Sequence, residues 1–362
     1  MRRRILIVRS AAAGAAAALP ATAVIAQPKS VVWRLLSSYP KSMDVLFGAS
    51  TMLSERVSQL TDARFDIRVY AAEETGNPLQ ALDGVISGAV EACHGQSGMW
   101  ADKPQAHIFG GAAPFGLTAR QQTAWIHYGG GLKLLRDFYG ELNTINFPGI
   151  NTGTQMGGWF RRAVDSVDDL KGMRMWISGF AGEVFSKLGV IPRPLPAADV
   201  YRALAMKTID AVSSNGPHDD EKLGLFRVAK NYYAAGSLGG GANASFFVNK
   251  ESFLALPKQY QSAFEVATNE ANFLATARYD TLNAFATRRL VSKGASIQTF
   301  PRGVLQAAYK ASEGLLDMEA ERNPDFKKLL ESWRTFRESQ ALWFGTSELA
   351  FVNSSSSKHV RR

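Results

Sequence analysis

The five histidines of the chain show none of the spacings that catalysis or metal binding requires. They are His94, His107, His127, His218 and His359. None belongs to a His-Glu-x-x-His pair or to a zinc cluster with cysteine. The run Gly95-Gln96-Ser97-Gly98 lacks the last glycine of a nucleophile elbow, because Met99 stands there. With no nucleophile, base and orienting group in a recognisable pattern, the sequence predicts a protein that is not an enzyme.

Two other groups of reactive side chains have plain structural interpretations. Cys93 is the only cysteine and lies in an apolar-flanked run, so a buried, inert thiol is favoured over a nucleophile, which would need a base partner. Asp219, Asp220 and Glu221 could ligate a cation. A solvated helix start is the favoured interpretation, because carboxylates are stabilised at that end of a helix.

The N-terminus has the pattern of an export signal. Arg2, Arg3 and Arg4 precede an Ala-rich apolar stretch that ends near Ala26, where cleavage is expected. The arginine run is also typical of a twin-arginine signal, so the export route stays open. A membrane anchor is the alternative, but Arg9 and Pro20 interrupt the stretch and an anchor needs roughly 20 apolar residues. The mature protein is therefore predicted to be periplasmic.

The formal net charge of +9 does not indicate a nucleic-acid partner. Seven of the cations lie at the two ends of the chain, outside the predicted folded body: Arg2, Arg3, Arg4, Arg9, Lys358, Arg361 and Arg362. No basic stripe interleaved with aromatic residues is present. A hydrophobic content of 46% with 20% charged residues is typical of a globular protein.

The periodicity predicts an α/β fold. Residues 31–36 form an apolar run typical of a buried strand, and residues 44–61 repeat apolar side chains at helical spacing. Residues 65–70 alternate apolar and polar side chains, which indicates a second strand. Helices that alternate with short strands are typical of a sheet covered by helices.

A weak internal repeat suggests two similar halves. Residues 85–97 and 204–216 each run from a helix end through a polar turn into a hydrophobic-acid-Ala strand followed by small polar residues. Ligands of open α/β sheets bind outside the carboxyl ends of the strands. Two such units, one in each lobe, would face each other across a cleft. Chance similarity over thirteen residues is the alternative.

The C-terminal third is predicted to be helical. A long helix over about 258–291 would extend about 50 Å at 1.5 Å per residue, enough to brace both lobes. In the last helix an apolar stripe is expected to be core or a dimer seam: Leu329, Leu330, Trp333, Phe336, Trp343 and Phe344. Residues 351–362 are predicted to be a flexible tail.

Several segments resemble the periplasmic receptors of tripartite ATP-independent (TRAP) transporters. They include 113–117, 128–132, the long string 151–161, Asp169-Leu170-Lys171-Gly172 and Gly216-Pro217. The closing pattern from Phe336 to Ala350 is similar to the branch that binds 2-oxo acids. The resemblance covers nearly the whole mature chain. It implies a receptor that closes two lobes around an organic acid, docks on a membrane permease, and dimerises through its C-terminal helix.

The resemblance and the patterns together predict a two-lobed, type II-like periplasmic binding protein. The predicted parts are a signal peptide (1–26), a first lobe (27–150, completed by part of 250–310), a second lobe (151–250), a bridging helix (256–294) and C-terminal helices that form the dimer seam (303–350).

The resemblance also points to a ligand site, with departures from the family pattern. Its carboxylate-binding arginine is matched by Trp176, and its cation ligands by Gln155, Ser213-Ser214 and Gly239. Because both family carboxylates are missing, no metal and no other cofactor is expected. Trp176 and Trp100 are predicted to form aromatic walls, with neutral hydrogen bonds from Gln155, Ser213, Ser214 and Asn215. Strand alternation along residues 173–177 predicts that Trp176 lies on the opposite face from Met173, Met175 and Ile177. For Trp176, packing between the lobes is the alternative.

The predicted function is capture of a small organic solute, an organic or aromatic acid, and its delivery to TRAP permease subunits. The protein is expected to be a homodimer without a nucleic-acid partner. An extracytoplasmic sensor that presents solute to a signalling receptor remains the alternative, because both functions use the same cleft.

Overall fold

The computed structural model describes residues 29–99, 105–213, 215–234 and 239–356. Its strands are β1 (Val31–Ser37), β2 (Phe65–Tyr70), β3 (Ala92–Gln96), β4 (Thr144–Asn151), β5 (Gly158–Phe160), β6 (Arg174–Trp176), β7 (Ile191–Pro192), β8 (Ala211–Val212), β9 (Asn231–Tyr233), β10 (Asn243–Asn249) and β11 (Ser296–Gln298).

Helices outnumber strands in this part of the chain. They are α1 (Leu46–Leu60), α2 (Ala81–Ile86), α3 (Ala119–Tyr128), α4 (Gly131–Gly140), α5 (Gly179–Lys187), α6 (Val200–Ala205), α7 (Pro217–Leu223), α8 (Lys250–Leu254), α9 (Lys258–Ser292), α10 (Arg302–Arg322), α11 (Pro324–Phe344) and α12 (Ala350–Ser356). None of these helices has the length and apolar character that crossing a membrane requires.

The strands form two sheets, one in each lobe. The first sheet has the order β2-β1-β3-β10-β4, and the second has the order β11-β9-β5-β8-β6-β7. The chain passes from the first lobe to the second after β4 and returns before β10. The sequence prediction placed residues 151–250 in the second lobe, but β10 pairs with β3 and β4 in the first sheet. β11 belongs to the second sheet. The sheet to which a strand belongs is decided by pairing with strands that are distant in sequence, and local periodicity carries no information about that pairing.

Each sheet is covered on both faces. On the first sheet, α1 and α9 bury a cluster that includes Trp33, Leu53 and Phe264. On the second sheet, α6 and the end of α9 bury a smaller cluster around Trp159, Tyr232 and Leu290, which we call the second-lobe cluster. The opposite faces share one large core, which contains residues of both lobes and of the two C-terminal helices. This arrangement confirms the predicted α/β fold.

The internal repeat has the same strand register in both lobes. In the first lobe β1 runs parallel to β3, and Leu35 is paired with Ala92. In the second lobe β6 runs parallel to β8, and Met175 is paired with Ala211. The predicted helix-to-strand units therefore occupy matching places in the two sheets.

The acidic residue of each repeat unit makes the same set of contacts with an arginine. Arg34 donates to Glu91 from its backbone N–H (2.8 Å), Nε (3.2 Å) and Nη2 (2.9 Å). Arg174 donates to Asp210 from its backbone N–H (3.0 Å), Nε (2.9 Å) and Nη2 (2.9 Å). Each Nη2 also donates to a nearby carbonyl, that of Ala89 or Lys207. We call these two contacts the arginine clamps. These matching contacts argue against chance similarity of the two segments.

The long helix α9 bridges the lobes. It packs on α1 and β4 of the first lobe and on α7 of the second. Thr276 lies near the crossing, where its Oγ1 donates to the carbonyl of Asn151 at the end of β4 (2.9 Å). Thirty-five residues at 1.5 Å each give a length of about 50 Å, as the sequence predicted.

The C-terminal helices also contact both lobes. α10 packs on α5 of the second lobe, and α11 packs on α3 and α4 of the first. The apolar stripe of α11 is buried in one part and exposed in another. Leu329, Leu330 and Trp333 are buried, whereas Trp343 is 58% exposed. The predicted tail from residue 351 is wrong for residues 351–356, which are helical. No proline or glycine follows Gly345 to end the helix before Ser356.

Candidate functional site

The carboxyl end of β3 in the first lobe approaches the edge of the second sheet at which the parallel strands β6 and β8 end. β3 leads into a 3₁₀ turn, Ser97–Met99, which contacts α5 of the second lobe. A Cβ built on Gly179, the first residue of α5, would lie 3.4 Å from the Gly98 carbonyl oxygen. Gly179 has a φ of +59°, a conformation that favours glycine. This is the edge at which open α/β sheets bind their ligands.

Two of the predicted site residues are in contact. Gln155 lies in the segment that crosses from β4 to β5 and is 8% exposed. Its Nε2 donates to Oδ1 of Asn215, which follows β8, at 3.4 Å. The pair joins the segment that crosses between the lobes to the carboxyl end of β8 in the second lobe.

Ser213 and Trp176 are also brought together. The Ser213 backbone N–H donates to the Trp176 carbonyl at 2.9 Å, which ties the end of β8 to the end of β6. Gln155, Trp176, Ser213 and Asn215 are thus gathered at one edge of the second sheet. Trp100 and Ser214, the other two predicted residues, lie outside the described part of the chain, and their roles stay predictions.

Trp176 lies on the predicted face of β6. Met173, Met175 and Ile177 are buried in the large core, whereas the half-buried Trp176 ring packs on the second-lobe cluster. Its Nε1 donates to the Leu195 carbonyl at 2.9 Å. The indole N–H is therefore satisfied within the second lobe. Only the exposed part of the ring is available to a ligand, and whether it contacts one stays a prediction.

Arg161 does not replace the missing positive charge at this edge. Its strand β5 runs antiparallel to β8, with Phe160 opposite Ala211. The Arg161 backbone N–H donates to the Asp210 carbonyl at 3.1 Å, before β8 begins. Arg161 therefore lies at the opposite end of β8 from Ser213.

The acidic run at the start of α7 is not a solvated helix start, contrary to the sequence prediction. Asp219 and Asp220 are 2% and 1% exposed. Asp220 accepts hydrogen bonds from Trp159 Nε1 (3.0 Å) and Tyr232 Oη (2.7 Å). The prediction was wrong because α9 and the second sheet cover this end of α7, and helical position alone does not report such packing.

Asp219 was not predicted as a site residue, yet it faces the region between the lobes. Tyr279 of α9 donates to its Oδ2 at 2.6 Å. Burial raises the pKa of Asp219, and this effect outweighs the opposing hydrogen bond from Tyr279. Its Oδ1 is buried with no hydrogen-bond partner in the described part of the chain. No spacing in the sequence indicates this juxtaposition.

One group of side chains has the composition of a cation site. Potential ligand atoms of Asp44, His218 and Asp219 lie within 4.8 Å of one another. However, Lys222 Nζ donates to Asp44 Oδ1, and Arg278 Nη2 donates to Asp44 Oδ2 at 2.9 Å. A metal ion here would meet two fixed positive charges, so the group does not fit one.

Comparisons with known proteins agree with this architecture. Residues 36–323 match the family model described as bacterial extracellular solute-binding protein, family 7. The chain is 40% identical over 363 residues to a monocarboxylate 2-oxoacid-binding periplasmic protein of a Nostoc species, covering 99% of this chain and 100% of the relative.

Two solved structures are similar over most of the chain. A TRAP transporter solute-binding protein of Bordetella bronchiseptica, a mixed-occupancy dimer with calcium and picolinate in one site, has 44% identity and a TM-score of 0.89. The match covers 92% of this chain and 99% of that one. A TRAP solute-binding protein of Colwellia psychrerythraea with calcium and pyruvate has 31% identity and a TM-score of 0.88, covering 90% and 100%.

The chain forms two lobes joined by crossing segments, and a strand end of the first lobe contacts the second lobe. Together with the sequence and structural similarity over most of the chain, these features indicate one family. The chain belongs to bacterial extracellular solute-binding protein family 7, as a TRAP receptor of the 2-oxo-acid branch, and the family consists of solute-binding receptors rather than enzymes.

Proposed function

We propose that this receptor captures a small organic acid, with aromatic acids included, by closing its two lobes, and delivers the acid to a TRAP permease. One observation carries the proposal: the Gln155–Asn215 contact joins an inter-lobe crossing to the carboxyl end of β8, at the sheet edge where α5 contacts the first-lobe turn Ser97–Met99. Small-molecule sites are typically clefts with a few placed polar groups, and this edge has that character. The solute leaves chemically unchanged.

The ligand chemistry follows from the side chains at the site. We propose Gln155, Trp176, Ser213, Ser214, Asn215 and Trp100 as the ligand-binding residues. Neutral amides and hydroxyls replace the family arginine, and Trp176 offers part of an aromatic face. A flat ring can stack on such a face. The Bordetella protein, which is 44% identical, holds an aromatic acid, picolinate, and this supports including aromatic acids.

We propose that binding here requires no metal ion, although the two solved relatives hold calcium. The positions matched to the family's cation ligands are Gln155, Ser213-Ser214 and Gly239, which bring no carboxylate. Hard cations prefer anionic oxygen ligands. The nearest alternative set, around Asp44, already has Lys222 and Arg278 as partners.

Thermal unfolding in the presence of candidate solutes tests the ligand proposal. Picolinate, pyruvate and other aromatic, aliphatic and neutral solutes would each be added to the mature protein, with and without EDTA. A ligand that binds the native state raises the melting temperature. An aromatic or aliphatic acid is expected to raise it, with the same shift in EDTA. A shift that disappears in EDTA would contradict the metal proposal, and stabilisation by neutral solutes only would contradict the acid proposal.

The location follows from the family and from the N-terminus. The family is extracellular and the Nostoc relative is periplasmic, so we propose a periplasmic protein whose signal peptide is cleaved near Ala26. N-terminal sequencing of the exported protein tests the cleavage point. A sensor function uses the same cleft, but the relatives identified give it no support.

We further propose a homodimer formed through the C-terminal helices. Large apolar side chains on α11 and α12 are exposed, among them Leu342 (75%), Trp343 (58%) and Phe351 (71%). Exposed apolar patches of this kind mark interaction sites. The occupant we favour is a second copy of this chain, because the Bordetella relative is a dimer.

A further inference from the structure

Asp44 is a half-exposed carboxylate that contacts three basic side chains. It lies in the loop between β1 and α1, and its side chain is 39% exposed. Its Oδ1 contacts His218 Nε2 at 2.9 Å and also accepts from Lys222 Nζ. Its Oδ2 accepts from Arg278 Nη2 at 2.9 Å. Three basic side chains therefore converge on one carboxylate.

These partners belong to different parts of the molecule. Asp44 is part of the first lobe, whereas His218 and Lys222 are on α7 of the second lobe. Arg278 is on α9, close to the point where that helix crosses between the lobes. Lys222 Nζ also donates to the carbonyl of Ser42 at 3.0 Å, so two acceptors of the same first-lobe loop hold it. Any opening that separates α7 from this loop breaks all the contacts of Lys222 and His218 with it.

The charges favour the contact strongly enough to perturb the carboxylate. Burial alone would raise the pKa of Asp44, but hydrogen bonds from Lys222 and His218 outweigh burial and hold the pKa at about 2. The carboxylate is therefore ionised at neutral pH. Without this charge, Lys222 and Arg278 lose the anion that they share, and their mutual repulsion favours separation.

We infer that Asp44 is a positioning residue that holds the two lobes closed and thereby sets solute affinity without touching the solute. The effect on affinity rests on the proposed function, whereas the effect on lobe separation does not. When the binding-competent state is only partly populated, the apparent dissociation constant rises in proportion to the loss of that state.

A matched control lies on the same pair of helices. Glu221 of α7 pairs with Arg289 of α9 and with Lys293, which directly follows α9, each at 2.7 Å. It is one carboxylate with two basic partners, compared with three around Asp44. All three residues lie on the second-lobe side of the crossing, so this group does not separate when the lobes open. Glu221→Gln therefore removes a comparable charge without releasing a contact between the lobes.

The experiment measures the distance between the lobes directly, without ligand. Cys93 is fully buried, so spin labels can be attached at two introduced cysteines, Glu55→Cys in the first lobe and Arg202→Cys in the second, both at exposed positions. Pulsed dipolar spectroscopy then gives the distance distribution. Asp44→Asn is expected to reduce the ratio of short to long distances about fivefold, the order of one partly exposed charged contact. Glu221→Gln should leave the ratio unchanged.

A second variant and a ligand measurement complete the test. Lys222→Gln should shift the distances in the same direction, and adding it to Asp44→Asn should have less than an additive effect, because the two residues share one contact. Unchanged distances in both single variants, or an equal shift in Glu221→Gln, would overturn the inference. Calorimetric titration with picolinate and pyruvate then reads out affinity. Should neither acid bind the wild type, the ligand proposal fails while the distances still decide the role of Asp44.

Discussion

The arginine clamps allow a quantitative test of the internal repeat. Arg34–Glu91 and Arg174–Asp210 have the same donors, the same acceptor geometry and the same place in their sheets. If the two units are physically equivalent, then Glu91→Gln and Asp210→Asn should destabilise the protein by similar amounts. Each change keeps the size of the side chain and removes its charge.

The expected size follows from the charge-assisted hydrogen bonds that each variant removes. Hydrogen bonds to charged groups contribute about 1.5–3 kcal/mol in sheltered sites, and fully exposed ion pairs contribute about 0.2–1 kcal/mol. Both carboxylates are largely covered, with side-chain exposures of 22% for Glu91 and 24% for Asp210, while their arginines are 48% and 36% exposed. We therefore expect a loss of about 1–2 kcal/mol from each variant. Urea unfolding of the mature protein at pH 7 measures the free energy of unfolding.

The pH dependence of the free energy of unfolding provides an independent test of the arginine clamps. Hydrogen bonding from Arg174 lowers the pKa of Asp210. Burial alone would raise the pKa of Glu91, but the hydrogen bonds from Arg34 lower it overall. A carboxyl group whose pKa is lower in the folded than in the unfolded protein stabilises the fold at pH values above its unfolded pKa, which is near 4. This stabilisation disappears as the pH falls through the folded-state pKa. The difference between wild type and variants should therefore shrink below about pH 4.

Two results would refute this reasoning. If the free energy of unfolding falls by less than about 0.5 kcal/mol in both variants, solvent screens the two ion pairs and they contribute little to stability. A large loss in one variant and none in the other would show that the matching geometry does not reflect equivalent energetics. The ion pair between Asp137 and Lys133 on the exposed surface of α4 offers a control. Asp137→Asn should lower the free energy of unfolding by at most about 0.5 kcal/mol.

Three further predictions concern the site, the assembly and the lone thiol. Trp176→Ala should weaken solute binding tenfold or more, about 1.4 kcal/mol, whereas Trp176→Phe should retain most of it; calorimetry showing unchanged affinity in the Ala variant would remove Trp176 from the site. The mature protein should sediment as a dimer, and the doubly charged variant Leu342→Glu/Phe351→Glu should sediment as a folded monomer; a monomeric wild type would exclude the C-terminal seam. Cys93 should resist thiol reagents in the native protein and react in urea, because burial raises the pKa of its thiol and the thiolate is the reactive form; rapid native labelling would contradict its buried position.

Much of the architecture could be predicted from the sequence because it depends on local patterns. Alternation in residues 65–70 predicted β2, and helical spacing predicted α1 and the long α9 within a few residues. Alternation along residues 173–177 also predicted which face of β6 carries Trp176. Motifs along the chain predicted the family correctly. The site residues Gln155, Trp176, Ser213 and Asn215 came from that resemblance, and the structure gathers them at one edge.

The remaining features depend on contacts between residues distant in sequence. Only the folded chain shows that β10 returns to the first sheet and that α7 begins in a buried place, where Asp219 and Asp220 lose their solvent. The contact of Asp44 with Lys222, 178 residues later, likewise has no local pattern. Periodicity and motifs are properties of neighbouring residues, so the sequence alone determined the elements, the repeat and the family. The partners of each charge were decided by tertiary packing, because burial and electrostatic pairing depend on which distant segments share the same space.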